Sequence, residues 1–145
     1  MWILIIMEIL MLGVCAVSDI RRREIDLYVI LLITAGAIIY RGYTGEYWEG
    51  FGELVLRLLP GLLMVLVSIF KKDVLGMGDS IIVLAGGYIL GAVLNTAMLL
   101  AGFVISGVYG LIMVCLRKRK MNDTLPFVPF LLCGCILSEG LTWFM

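Results

Sequence analysis

Residues 80–116, SIIVLAGGYILGAVLNTAMLLAGFVISGVYGLIMVCL, contain no charged side chain. As a single helix these 37 residues would extend about 55 Å, whereas the hydrocarbon core of a bilayer is about 30 Å thick. The stretch therefore predicts two membrane-spanning helices. We expect a tight turn between them among Gly86, Gly87, Gly91 and Asn95, because these residue types favour turns or tolerate helix ends.

Four further apolar runs flank this stretch, at residues 2–17, 27–40, 54–70 and 126–143. Each is long enough to be a span where flanking residues reach the interface. The chain is 63% hydrophobic, whereas soluble domains typically contain about 45–50% apolar residues. We predict an all-α polytopic membrane protein with six transmembrane helices, forming one domain over residues 1–145.

The first apolar run is expected to be a retained helix, not a cleaved signal peptide. A signal peptide begins with basic residues, but here Arg21, Arg22 and Arg23 follow the run, and Glu8 lies inside it. That order favours a helix with its N-terminus outside the cell.

The basic residues separate clearly between alternate loops. Nine of the eleven fall in loops one, three and five: Arg21, Arg22, Arg23, Lys71, Lys72, Arg117, Lys118, Arg119 and Lys120. Because short cytoplasmic loops are enriched in lysine and arginine, we expect these loops to face the cytoplasm. Both termini then lie outside, on the side of Arg41 and Arg57.

Two aspartates lie at the predicted cytoplasmic ends of spans. Asp19 follows the first span, and Asp79 closes Gly76-Met77-Gly78-Asp79 just before the uncharged stretch. A carboxylate beside hydrocarbon is costly and suggests a function, and two carboxyls of unequal proton affinity can act as acid and base. We hypothesise that they are a catalytic pair; the alternative for Asp79 is a simple helix N-cap.

The settings of the two aspartates differ. Asp79 is expected to cap a helix that starts at Ser80, where the helix dipole favours the ionised form, whereas Asp19 ends a helix, where the dipole disfavours an anion. Asp79 is provisionally the base and Asp19 the acid, but the arginines after Asp19 act in the opposite direction, so the location of the proton stays open. Gly76 and Gly78 are expected to allow a sharp backbone path and close approach of a substrate chain.

The remaining residue types exclude several kinds of catalytic site. The chain has no histidine, which excludes Ser-His and Cys-His nucleophile pairs and histidine-based zinc sites. The cysteines lie in apolar stretches without Cys-x-x-Cys spacing and are expected to be packing residues: Cys15, Cys115, Cys133 and Cys135. We expect no metal, cofactor or nucleic-acid partner.

Charged residues elsewhere are expected to have ordinary structural roles. Glu8 and Glu139 fall within spans near the outer face and are expected to reach interfacial water, or to pair with Arg57. Asp73 and Asp123 are expected to be solvated beside basic loop residues.

Three separated segments resemble the prepilin peptidases, the aspartic membrane proteases that remove the leader from type IV prepilin-like proteins. Residues 17–25, VSDIRRREI, are similar to the first aspartate segment of that family, and residues 76–79, GMGD, are similar to its Gly-x-Gly-Asp. Residues 126–130, PFVPF, resemble the Pro-Phe-x-Pro-Phe that opens its last helix.

The resemblance implies that Asp19 and Asp79 are the catalytic pair, with cleavage at the cytoplasmic face of the cell membrane. The implied partner is a prepilin-like precursor whose basic leader Glu24 and Asp26 could contact; the oligomeric state stays open. Nothing in the sequence corresponds to the zinc-binding segment that long members carry, so peptidase activity without methyltransferase activity is expected. The sequence departs from the family at Asp26-Leu27, where Pro-Asn is frequent, and at Ile81, where lysine is frequent.

A rival hypothesis is a small ion- or proton-coupled transporter or a non-catalytic scaffold, in which the aspartates bind a cation or a proton. A transport pathway should place polar residues near the membrane midplane. The spans here carry few, and both aspartates lie toward one face. The peptidase is therefore favoured.

Overall fold

The computed structural model of the protein describes residues 2–22, 24–45, 50–70, 76–116 and 125–144, with side chains of the last range described to residue 140. In these ranges the chain forms six α-helices: α1 Trp2–Arg22, α2 Leu27–Thr44, α3 Phe51–Phe70, α4 Met77–Leu90, α5 Ala92–Cys115 and α6 Val128–Phe144. The predicted all-helical class is confirmed. α1, α2, α3 and α5 are long and apolar enough to cross a membrane, and α4 and α6 are shorter apolar helices. The protein is thus a multi-pass membrane protein.

The uncharged stretch breaks at one of the four predicted positions. α4 ends at Leu90, α5 begins at Ala92, and Gly91 between them has a φ of 89°. Glycine adopts this left-handed conformation without the steric cost of a Cβ. The Gly91 N–H donates to the Gly87 carbonyl and the Gly91 carbonyl accepts from the Asn95 N–H, each at 3.1 Å, so the chain turns without leaving either group unpaired.

α4 lies in the interior of the bundle. Its buried residues occur all around the helix: Ser80, Ile82, Val83, Ala85, Gly86, Gly87 and Ile89. α3 approaches closely because a Cβ on Gly61 would collide with the backbone of Leu84, and one on Gly87 would collide with the Arg57 carbonyl oxygen. Small residues commonly permit such close contact between membrane helices. The packing fixes α4, and hence its first turn, against the rest of the protein.

The outer helices present apolar side chains outward. In α2 only Ile30 and Ala37 are buried, whereas Leu31 and Leu32 are 68% and 74% exposed. Contiguous exposed apolar surface of this kind marks an interaction site or a membrane contact. α6 packs chiefly against α5 and also against α1, and a Cβ on Gly134 would meet the backbone of Met98.

Two helix ends differ from the predicted ends. α1 continues beyond the apolar run to Arg22, because an apolar run marks hydrocarbon and not the end of the helix, and basic residues suit a helix C-terminus. α6 begins at Val128, so Pro126 precedes the helix and Pro129 takes its second position. Arg23, Lys71, Lys72 and residues 117–120 lie outside the described residues, as do Asp73 and Asp123.

Candidate active site

Asp19 lies one turn before the end of α1, not at its end as expected. Its side chain is buried, and its Oδ2 accepts a hydrogen bond of 3.2 Å from the backbone N–H of Val128, the first residue of α6. The site therefore joins the first and last helices. The resemblance singled out the segment around Val128, but a contact between residues 109 positions apart has no signal in a single sequence.

Asp79 lies in the first turn of α4 and is half-buried. The N-cap of α4 is Gly76, in extended conformation, so the expectation that Asp79 caps a helix starting at Ser80 is wrong. The Ser80 N–H and hydroxyl both donate to the Gly76 carbonyl, at 3.4 Å and 3.3 Å. This turn begins the helix three residues earlier than predicted and turns the Asp79 carboxyl back toward Gly76.

The two aspartates line one cavity of about 480 Å³. Its lining residues come from the end of α1, the connection to α2 and the start of α4: Asp19, Glu24, Ile25, Leu27, Gly76, Met77, Gly78, Asp79 and Ile81. Most of them belong to the two aspartate segments singled out in the sequence. The fold thus brings the predicted pair to one cavity at one end of the bundle.

The carboxyls influence each other across this cavity. Asp79 lies ahead of the uncharged stretch, and burial raises the pKa of its carboxyl to about 7. The nearby Asp19 carboxylate also raises this pKa, whereas a hydrogen bond with the backbone of Gly76 lowers it. Asp19 accepts the Val128 N–H, a bond that favours an ionised carboxylate. The hydrogen bond therefore favours an anion on Asp19, whereas burial favours a proton on Asp79. This is the opposite of the provisional assignment, which treated Asp79 as an N-cap, and the roles stay a prediction.

The two glycines of the Gly-x-Gly-Asp segment provide space. Gly76 has a φ of −66°, which any residue can adopt, so conformational freedom does not explain it. A Cβ there would lie 3.0 Å from Asp79 Oδ2, and a Cβ on Gly78 would lie 2.6 Å from Ile25 Cδ1. Gly76 thus makes room for the Asp79 carboxyl, and Gly78 for the connection after α1. The segment that approaches Gly78 in the structure is the protein's own, at Ile25; close approach of a substrate chain stays a prediction.

The two acidic candidates for contact with a basic leader have different positions. Glu24 is exposed and lines the cavity. Asp26 is also exposed, but it is not among the lining residues, and its Oδ2 accepts a hydrogen bond of 3.1 Å from the Ser18 hydroxyl. The structure therefore brings Glu24, but not Asp26, to the candidate site.

The expectation for Glu8 is wrong. Glu8 is fully buried in α1, and neither of its carboxyl oxygens has a hydrogen-bond partner among the described residues. It reaches neither interfacial water nor Arg57, whose guanidinium pairs with Glu53 one turn earlier in α3. A Cβ on Gly86 would lie 2.8 Å from Glu8 Oε1 and 3.0 Å from Asn95 Oδ1. Both polar side chains therefore approach Gly86 inside the bundle.

The described residues contain no group of three or more acidic or cysteine side chains that could hold a metal ion. All four cysteines have free thiols: Cys15 and Cys135 are buried, and Cys115 and Cys133 are exposed on the helix surface. Among the described residues that line the cavity, the titratable side chains are the carboxyls of Asp19, Glu24 and Asp79. Carboxyls can accept and donate protons, as general acid and base catalysis requires.

The sequence model of the type IV leader peptidase family matches residues 6–112. The match includes both aspartates and the Gly-x-Gly-Asp segment, and it ends within α5, before α6. No curated protein and no solved structure matches the chain. The predicted family is confirmed, and the Pro-Phe-x-Pro-Phe segment at residues 126–130 lies outside the match. With a match over most of its length, this chain belongs to the type IV leader peptidase family.

Proposed function

We propose that the protein is an aspartic endopeptidase that removes the short basic leader from type IV prepilin-like precursors, with Asp19 and Asp79 as the catalytic pair. The observation that carries this proposal is the shared cavity: two carboxyls from segments sixty residues apart line one cavity at one end of a membrane bundle. Membership in a peptidase family supports hydrolysis over the alternatives of an ion-coupled transporter or a scaffold.

The chemistry follows from the unequal settings of the carboxyls. Ionised Asp19 removes a proton from a water molecule, whose oxygen attacks the carbonyl carbon of the scissile peptide, while protonated Asp79 donates to the carbonyl oxygen. In the resulting tetrahedral intermediate the C–N bond breaks, and the leaving amine takes the proton that Asp19 accepted. Asp79 regains its proton from the hydroxyl as the new carboxylic acid forms. A pair that shares one proton in this way titrates as a unit.

The substrate is a precursor with a basic leader followed by an apolar helix. Glu24 at the cavity supplies a negative charge for a lysine or arginine of the leader. The exposed apolar surface of α2, which begins at the cavity with Leu27, suits a substrate helix that lies in the bilayer. These two features would place the scissile bond between the charged and apolar parts of the precursor.

The cavity end of the bundle is proposed to face the cytoplasm. The end of α1 and the starts of α4 and α6 meet at this end, where Arg21 and Arg22 are exposed. At the other end Arg41 of α2 donates to the Ile89 carbonyl near the end of α4, at 3.1 Å. Under the positive-inside rule this arrangement supports six spans in the cell membrane with both termini outside.

The test is co-expression with a precursor that has a lysine-rich leader, a glycine and an apolar helix of about 20 residues. Loss of the leader is expected with the wild-type protein and is expected to fall about 100- to 10,000-fold in Asp19→Asn and Asp79→Asn. Asp26→Asn is the matched control, because it removes a nearby carboxylate outside the cavity lining and retains an acceptor for Ser18. Cleavage that persists in either dyad variant would contradict the mechanism.

A further inference from the structure

The start of α6 makes a contact with the candidate dyad that the family match does not include. Val128 N–H donates to Asp19 Oδ2 at 3.2 Å in a buried setting, yet the match ends at residue 112. Val128 belongs to the Pro-Phe-x-Pro-Phe segment at residues 126–130. The family resemblance identified this segment but assigned it no role.

The aromatic residues of the segment hold the start of α6 against α5. The rings of Phe127 and Phe103 have centroids 5.1 Å apart, and those of Phe130 and Tyr109 are 5.4 Å apart. Aromatic pairs at these separations attract each other beyond the burial of their area. Val128, between the two phenylalanines, is fully buried. Its backbone is therefore held in place by packing on both sides.

The helix geometry leaves this N–H available. The Phe127 carbonyl accepts the N–H groups of Phe130 and Leu131, which makes Phe127 the N-cap and Val128 the first helical residue. A first-turn N–H has no partner within its own helix, and the next residue, Pro129, has no N–H at all. Val128 thus supplies a donor that the helix does not use, at the positive end of its dipole.

We propose that the backbone N–H of Val128 is a positioning group that holds the Asp19 carboxylate in place and favours its ionised form, and that the Pro-Phe-x-Pro-Phe segment serves to present it. The proposal rests on the proposed function of Asp19 as the base. The role of the Val128 N–H is to orient Asp19, and Val128 itself touches no reacting atom.

Val128→Pro tests the proposal because it removes the N–H while changing the side-chain volume little. Proline is favoured at the first helical position, and the preceding residue, Phe127, is a non-helical N-cap. Ala92→Pro is the matched control: it places a proline at the first position of α5, at the other end of α4 from the cavity. Both variants are assayed for cleavage of the lysine-rich test precursor over a range of pH.

Val128→Pro is expected to lower cleavage at neutral pH about 10- to 100-fold, the value of a hydrogen bond to a charged group. The acidic limb of its pH profile is expected to move to higher pH, because the Asp19 anion has lost its donor. Ala92→Pro is expected to retain the wild-type rate and profile. A Val128→Pro enzyme with a wild-type acidic limb would overturn the proposal, since damage to packing alone lowers the rate without moving that limb.

Amide hydrogen exchange tests the same contact without a substrate and without a proline substitution. In the wild-type protein the Val128 amide is expected to be protected, and Asp19→Ala is expected to speed its exchange about tenfold or more. The Phe130 and Leu131 amides, bonded to the Phe127 carbonyl, serve as internal controls. An unchanged exchange rate of the Val128 amide in Asp19→Ala would overturn the positioning role. A wild-type protein that cleaves no precursor would instead refute the proposed function, and the exchange result would still hold.

Discussion

Gly78→Ala should damage the site through one identifiable collision. The added Cβ would lie 2.6 Å from Ile25 Cδ1 and 3.0 Å from Ile25 Cβ, whereas carbon atoms in contact prefer about 3.5–4.0 Å. Either Ile25 or the start of α4 must therefore move by about 1 Å. Overpacking of this kind costs about 1–3 kcal/mol. If the whole of this free energy destabilises the catalytically active conformation of the site, cleavage slows about 5- to 150-fold.

The assay is leader cleavage by purified wild type, Gly78→Ala, Ile25→Ala and the double variant. Ile25→Ala removes the atom nearest the new Cβ but leaves its own Cβ, so the double variant should recover part of the loss from Gly78→Ala. Gly107→Ala is the control, because no atom of the described residues lies within 4 Å of a Cβ there. A wild-type rate for Gly78→Ala, or no recovery in the double variant, would show that the contact with Ile25 is not the reason for glycine at position 78.

Three further predictions concern acidic residues. Cleavage should fall as pH rises through about 7, because Asp79 then loses the proton that it donates; a pH–rate profile that stays flat there and above would contradict this role. Glu24→Gln should raise KM for a lysine-rich leader about 1.5- to 5-fold, the effect of an exposed ion pair, with kcat unchanged; an equal effect on a leader whose lysines are replaced by glutamine would exclude charge recognition. Glu8→Met should raise the free energy of unfolding by about 1–3 kcal/mol, because it removes a buried carboxyl without a partner among the described residues; a lower melting temperature in detergent would indicate that the carboxyl makes a stabilising contact.

The positions of the two aspartates in the bundle could be predicted because hydrocarbon imposes a simple length rule. Residues 80–116 are too long for one span and contain few positions for a turn, and the break at Gly91 is one of them. Antiparallel helices then bring the end of the first and the start of the fourth to one side. The sequence therefore predicts that Asp19 and Asp79 share an end of the bundle, and the shared cavity agrees with this.

The proposed protonation roles could not be predicted from the sequence, because they depend on where the helices begin and end. Met77 and Gly78 are apolar or small and could equally belong to a loop, yet they form the first turn of α4 and place Asp79 inside the helix. Val128 donates to Asp19 across 109 residues of sequence, and no local pattern reports such a contact. Glu8 is similar: its burial comes from α2, α4 and α6 packing against α1, not from its own neighbours in the sequence.

The hydrogen bond between the first and last helices also sets an order of assembly. Asp19 is synthesised early, but its donor belongs to the final helix, so a nascent chain that has completed only α5 carries both carboxyls without the contact that orients one of them. The hydrogen bond forms only once α6 has packed against α1 and α5. With Asp19 as the proposed base, α6 must therefore be made and packed before the protein can cleave a precursor.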